Sequence, residues 1–150
     1  MIEYNTLQEM MEYVTKRFEA LHSQLYEIDT RFTFLPKSGF IRFTNIVNGT
    51  HIGSCEVVSW TAKWAQVYTH PKFAFEDGSI QTFDMRLYPK ISSLNWIEDD
   101  VPVDDWQQQL DSFCDGIYDD LVNALKKEKE MQKYVKEQAI KKAARFYELS

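Results

Sequence analysis

Alternating apolar and polar residues between Gly39 and Ile91 predict an antiparallel meander of short strands. The run from Gly39 to Val47 is rich in β-branched and aromatic residues, which suit a half-buried pleated surface. Asn48-Gly49 then precedes a second strand-like run, from His51 to Trp60. Because a type I′ turn needs positive φ at both central residues, Asn-Gly between two such runs predicts a hairpin.

A two-residue turn at Asn48-Gly49 also fixes the expected pairing of the hairpin. Ile41 is expected to face Glu56, and Phe43 to face Ser54. A slip of one residue would expose the whole apolar set of one face, so that face is the predicted core side. Its members are Ile41, Phe43, Val47, Ile52, Val58 and Trp60.

Further strands are predicted on both sides of this hairpin. Lys63–His70 alternates apolar and polar residues and ends before a proline, which cannot donate to a central ladder. Residues 73–75 and 80–88 flank Asp77-Gly78, a second hairpin signal. Upstream, residues 31–37 form an extended piece whose phenylalanines predict an edge strand.

Residues 5–30 are predicted to form a helix. Asn5 or Thr6 caps it, and Thr6 with Glu9 matches a capping box. The apolar stripe either covers the sheet or pairs with another helix, from this chain or from a second copy. Its residues recur with a period of about 3.5: Leu7, Met11, Val14, Phe18, Leu21, Leu25 and Ile28.

The last third of the chain is predicted to be helical after an acidic connection. Residues 92–103 form that connection, and Asp104 with Gln107 gives a capping pattern for the helix that follows. An apolar stripe runs to Leu125, the polar residues 126–130 interrupt it, and a second stripe resumes at Met131. Two helices, or one long helix that leaves the body near Lys126, both fit this pattern.

These elements predict an α+β fold: an N-terminal helix, an antiparallel meander of four to five strands, and a C-terminal helix or helix pair. The length of 150 residues fits one domain over 1–150, with 126–150 as a candidate projecting helical tail.

Charge is sorted along the last third of the chain. Residues 98–120 hold nine acidic residues and no lysine or arginine, whereas residues 126–145 hold eight basic and three acidic residues. The first segment therefore has a formal charge of −9 and the second +5, within a chain of net charge −6. Such asymmetry concerns partners and electrostatic steering rather than the fold.

The acidic segment is the candidate binding surface. A row of aspartates at helical spacing suits contact with a basic partner, although a solvated helix face explains the same pattern. Carboxylates on one helix face do not converge, so no metal site is predicted. The candidate partner-binding residues are Asp99, Asp100, Asp104, Asp111, Asp115 and Asp119.

Catalytic signatures are scarce in this sequence. His51 and Cys55 lie about 13 Å apart along one strand, too far for direct proton transfer. Glycine-rich phosphate loops, H-E-x-x-H, G-x-S-x-G and paired C-x-x-C motifs do not occur. A non-enzymatic protein without cofactors is expected. Two cysteines without metal-site spacing, no signal-peptide pattern and no long apolar run predict a cytoplasmic protein that does not enter a membrane.

Three functions follow as hypotheses. The leading one is a protein-interaction module, such as a small acidic inhibitor or regulator that engages a basic, nucleic-acid-binding partner through residues 98–120. The second is a ligand-binding or enzymatic pocket lined by Trp60, Trp64, Tyr68 and Phe83. The third, less favoured, is nucleic-acid binding by the basic tail. A homodimer is left open.

Overall fold

The computed structural model describes residues 6–47, 50–68, 72–74, 80–82 and 93–149. They form an N-terminal helix, a five-stranded antiparallel sheet and a C-terminal helix, which confirms the predicted α+β fold. The predicted turns at Asn48-Gly49 and Asp77-Gly78, and the predicted strand residues 83–88, lie outside the described residues.

The first helix, α1, spans Leu7–Ile28 and confirms the capping prediction. The Thr6 hydroxyl accepts a hydrogen bond of 3.1 Å from the backbone N–H of Glu9. The interior of the predicted stripe is buried, with Met10 in place of Met11, while Leu7 and Ile28 are exposed. The stripe therefore covers the body of the protein along the middle of the helix and leaves its ends in water.

Five strands form the main sheet, in the order β1-β2-β3-β4-β7. β1 to β4 confirm the predicted edge strand, hairpin and following strand. β7 was missed, because three residues are too few to show an alternating pattern; pairing with β4 makes it a strand. The bounds are β1 Phe32–Leu35, β2 Phe40–Val47, β3 Thr50–Trp60, β4 Trp64–Val67 and β7 Ser93–Asn95.

Two small hairpins complete the strands among the described residues. β5 (Lys72–Ala74) pairs with β6 (Ile80–Thr82), as the sequence predicts for the segments around Asp77-Gly78. β8 (Ile97–Glu98) pairs with β9 (Val101–Pro102) inside the stretch expected to be a plain connection.

The pairing of β2 with β3 corrects the predicted register. Val47 pairs with Thr50, as a two-residue turn requires, but Ile41 pairs with Val58 rather than with Glu56. The register shifts twice, between Asn45 and Ile46 and between Ile41 and Arg42. Each irregularity sets an extra residue of β3 against β2, so a register counted from the turn fails beyond the first shift.

The second shift also changes the core. Regular alternation along β3 would set Val57 on the face opposite Val58, yet both are fully buried. Phe18 of α1 stacks on Trp60, with ring centroids 4.4 Å apart and planes 9° apart. Trp96 is buried, and its indole N–H donates a 2.6 Å hydrogen bond to the carbonyl of Ala62. Aromatic rings thus join the helix to the sheet and fix the start of the C-terminal region.

The second helix, α2, spans Trp106–Leu149 as one unbroken element of 44 residues. At 1.5 Å per residue its axis is about 66 Å long. Of the two predicted arrangements, the single long helix is therefore observed. Its buried stripe extends beyond Leu125, because Glu128 is also buried, and Val135 packs against the core cluster as the last side chain to do so.

Beyond Val135 the helix is exposed. Every side chain from Lys136 to Tyr147 is exposed to solvent. Residues 136–149 are called the distal segment below.

Candidate interaction surface

Two of the six candidate aspartates form the turn of the β8–β9 hairpin. Asp99 and Asp100 have φ values of 50° and 62°, both in the left-handed region. A two-residue turn of type I′ requires this at both positions, and aspartate tolerates it better than most residues. Both side chains are exposed. The sequence contains a local signal for this turn, because Asp99-Asp100 lies between the two short strands β8 and β9.

Asp111 and Asp115, one turn apart on α2, both bind a single arginine of α1. The Arg17 Nε atom lies 2.7 Å from an Asp111 carboxylate oxygen, and Arg17 Nη2 lies 3.1 Å from one of Asp115. Burial alone lowers the pKa of Arg17, but charge interactions with Cys114, Asp111 and Asp115 and the Asp111 hydrogen bond outweigh burial, and the pKa lies above its ordinary value. This ion pair links α1 to α2, and sequence spacing gave no indication of it.

Asp104 and Asp119 are exposed, on opposite sides of the ion pair along the chain. Asp104 lies outside the helix, because α2 begins at Trp106 and Asp105 stands directly before it with a φ of 59°. The Asp104 carbonyl accepts a 3.2 Å hydrogen bond from the Gln109 side chain. The surface formed by Asp99, Asp100, Asp104, Asp111, Asp115 and Asp119 is called the acidic surface below.

Asp111, Asp115 and Asp119 lie on the same continuous helix as the basic residues of the tail. Lys126, the first basic residue of the tail, lies seven residues after Asp119 on α2, which is about 11 Å along the axis. Exposed charges more than about 8 Å apart are largely screened at physiological ionic strength. Because the helix is unbroken, residues 129–145 cannot fold back onto these aspartates.

A second ionic cluster closes the other end of the body. The Arg31 guanidinium forms a fork with Glu128, through Nη1–Oε2 and Nη2–Oε1 distances of 2.9 and 2.5 Å. Its Nη2 atom also lies 2.7 Å from an Asp29 oxygen. The Glu128 side chain is 4% exposed. Glu128 follows Leu121 and Leu125 at helical spacing and so continues the core stripe. This spacing is the sequence signal that could have predicted a buried carboxylate at position 128.

The cluster shifts the pKa values of Asp29 and Arg31. Burial alone raises the pKa of Asp29, but hydrogen bonds from the Arg31 side chain and backbone outweigh burial, and the pKa lies below its ordinary value. Burial likewise lowers the pKa of Arg31, and its two carboxylate partners raise it further than burial lowers it. Asp29 and Arg31 are therefore both charged at neutral pH.

Neither cysteine has the environment of a nucleophile. Burial raises the pKa of Cys55, and burial above all raises the pKa of Cys114 to about 12. A reactive cysteine needs the opposite shift. His22 is half-buried, and its Nε2 atom lies 3.0 Å from the Phe32 carbonyl oxygen. Among the described residues, no group of three or more histidine, cysteine, aspartate or glutamate side chains is arranged to hold a metal ion.

Two of the four aromatic residues of the pocket hypothesis, Trp60 and Trp64, lie on opposite faces of the sheet. Trp60 is buried under Phe18, whereas Trp64 is on the exposed face of β4. Trp60 pairs with Ala65, so these two side chains share a face of the sheet. Trp64 precedes Ala65 on β4 and therefore points to the opposite face. Phe83 lies outside the described residues.

The chain is thus an α+β protein with an acidic surface at one end of a long helix and an exposed helical extension at the other. Comparisons with protein-family models, with curated proteins and with solved structures found no match. Within the described part of the chain, neither helix combines the length and apolar character needed to cross a bilayer.

Proposed function

We propose that this protein is a non-enzymatic interaction module whose acidic surface engages a basic protein partner. In this proposal residues 1–150 act as one domain, and the helical tail over 126–150 projects from it. The observation that carries the proposal is the separation of charge along α2. Opposite charges that served only solubility would not need to be held at least about 11 Å apart on a continuous helix.

The exposed members of the surface support this assignment. Asp99, Asp100, Asp104 and Asp119 are exposed, so a partner reaches their carboxylates without disturbing the core. Arg17 neutralises only part of the charge at Asp111 and Asp115, since one guanidinium serves two carboxylates. A basic, nucleic-acid-binding surface is the complementary partner, which would make this chain an acidic inhibitor or regulator.

Free thiols at Cys55 and Cys114 fit a reducing compartment, so we propose a cytoplasmic setting. The alternative, in which the basic tail binds nucleic acid, is less favoured. Acidic residues Glu130 and Glu137 lie between its lysines, and spacings such as Glu137–Lys141 allow ion pairs within the helix.

The test is capture of partners from host extract, with and without nuclease treatment, at low and at high salt. The wild-type chain is compared with Asp100→Asn, Asp104→Asn and Asp119→Asn combined, which avoids the Arg17 pair. We expect the triple variant to lose at least tenfold of the bound partner at low salt, and high salt to release the partner from the wild-type chain.

A matched control carries Glu19→Gln, Glu27→Gln and Glu56→Gln, three exposed acids outside the acidic surface. It changes the net charge by the same amount and is expected to retain the partner. Equal retention by both triple variants would refute the proposal. A partner lost only after nuclease treatment would instead favour the nucleic-acid alternative.

A further inference from the structure

We draw no further inference here: the strongest candidate, the exposed apolar face that Ile140 and Tyr147 form on the distal segment of α2, carries no proposal, because nothing in the described part of the structure shows what covers it.

Discussion

At the scale of single residues, Arg31 makes the most consequential contacts. It joins the loop after α1 to α2, and its guanidinium lies 4.7 Å from the centre of the Phe43 ring. Two carboxylates and an aromatic ring thus contact the Arg31 side chain. Of the two carboxylates, that of Glu128 is the more buried. A buried carboxylate depends on this counterion, because water cannot solvate it.

Arg31→Leu is expected to lower the free energy of unfolding by about 3–5 kcal/mol, since the buried Glu128 side chain loses its counterion. Urea unfolding measures the change. Lys37→Leu, in the exposed turn after β1, is the control and should stay within about 0.5 kcal/mol of the wild-type value. A loss no larger than that of the control would show that Glu128 is solvated.

The lowered pKa of Asp29 predicts acid sensitivity. A carboxyl whose folded pKa lies below its unfolded value stabilises the protein above the unfolded pKa, near 4, and that contribution is lost as the pH falls through the folded pKa. Asp29→Asn should therefore lose less stability than the wild-type chain between pH 5 and pH 2.5. Urea midpoints at both pH values measure this, with the exposed Glu27→Gln as control. Equal acid losses would contradict the prediction.

At the scale of elements, the turn between β1 and β2 depends on a glycine. Gly39 has a φ of +74°, and a Cβ built there would lie 2.7 Å from the carbonyl oxygen of Trp60. The Gly39 carbonyl accepts a 2.8 Å hydrogen bond from the Trp60 N–H, which holds the two backbones together. The turn therefore cannot move aside to admit a side chain without losing this bond.

Gly39→Ala is expected to cost about 2–3 kcal/mol of unfolding free energy, through the positive φ and the backbone clash. Gly53→Ala is the matched control, because nothing lies within 4 Å of its added Cβ and its backbone is not left-handed. That variant should be neutral or slightly stabilising. Similar losses in both would mean that the effect comes from glycine content rather than from the contact with Trp60.

The long helix contains two parts with different dependence on the body. Deletion of residues 136–150 removes the end of α2, whose side chains are exposed over 136–147, and should change the stability of the monomer by less than about 0.5 kcal/mol. Deletion of residues 126–150 also removes Glu128 and Val135 and should cost several kcal/mol. Thermal unfolding of dilute samples compares the two. Equal stability would show that the body ends at Leu125.

At the scale of the whole molecule, charge is divided between the two ends of α2. The exposed aspartates lie near its first residues, whereas residues 136–149 have a net charge of +2 within a chain of net charge −6. We therefore expect a basic partner to approach the body of the protein rather than the far end of the helix.

Periodicity in the sequence determined the kind, order and approximate bounds of the main elements. Helix and strand periods are local properties, which is why the capped first helix and the hairpin strands are predicted correctly. The charge separation is equally a property of the sequence.

The remaining features depend on contacts between residues far apart in the chain, so they became visible only in the folded structure. It set the shifted register of β2 and β3, the addition of β7 to β4, and the pairing of Arg17 and Arg31 with α2. It also made α2 continuous, since burial of Glu128 carries the core across a polar stretch where local pattern predicts an interruption. These features arise from partners far apart in the chain, and no short window of sequence contains both members of such a pair.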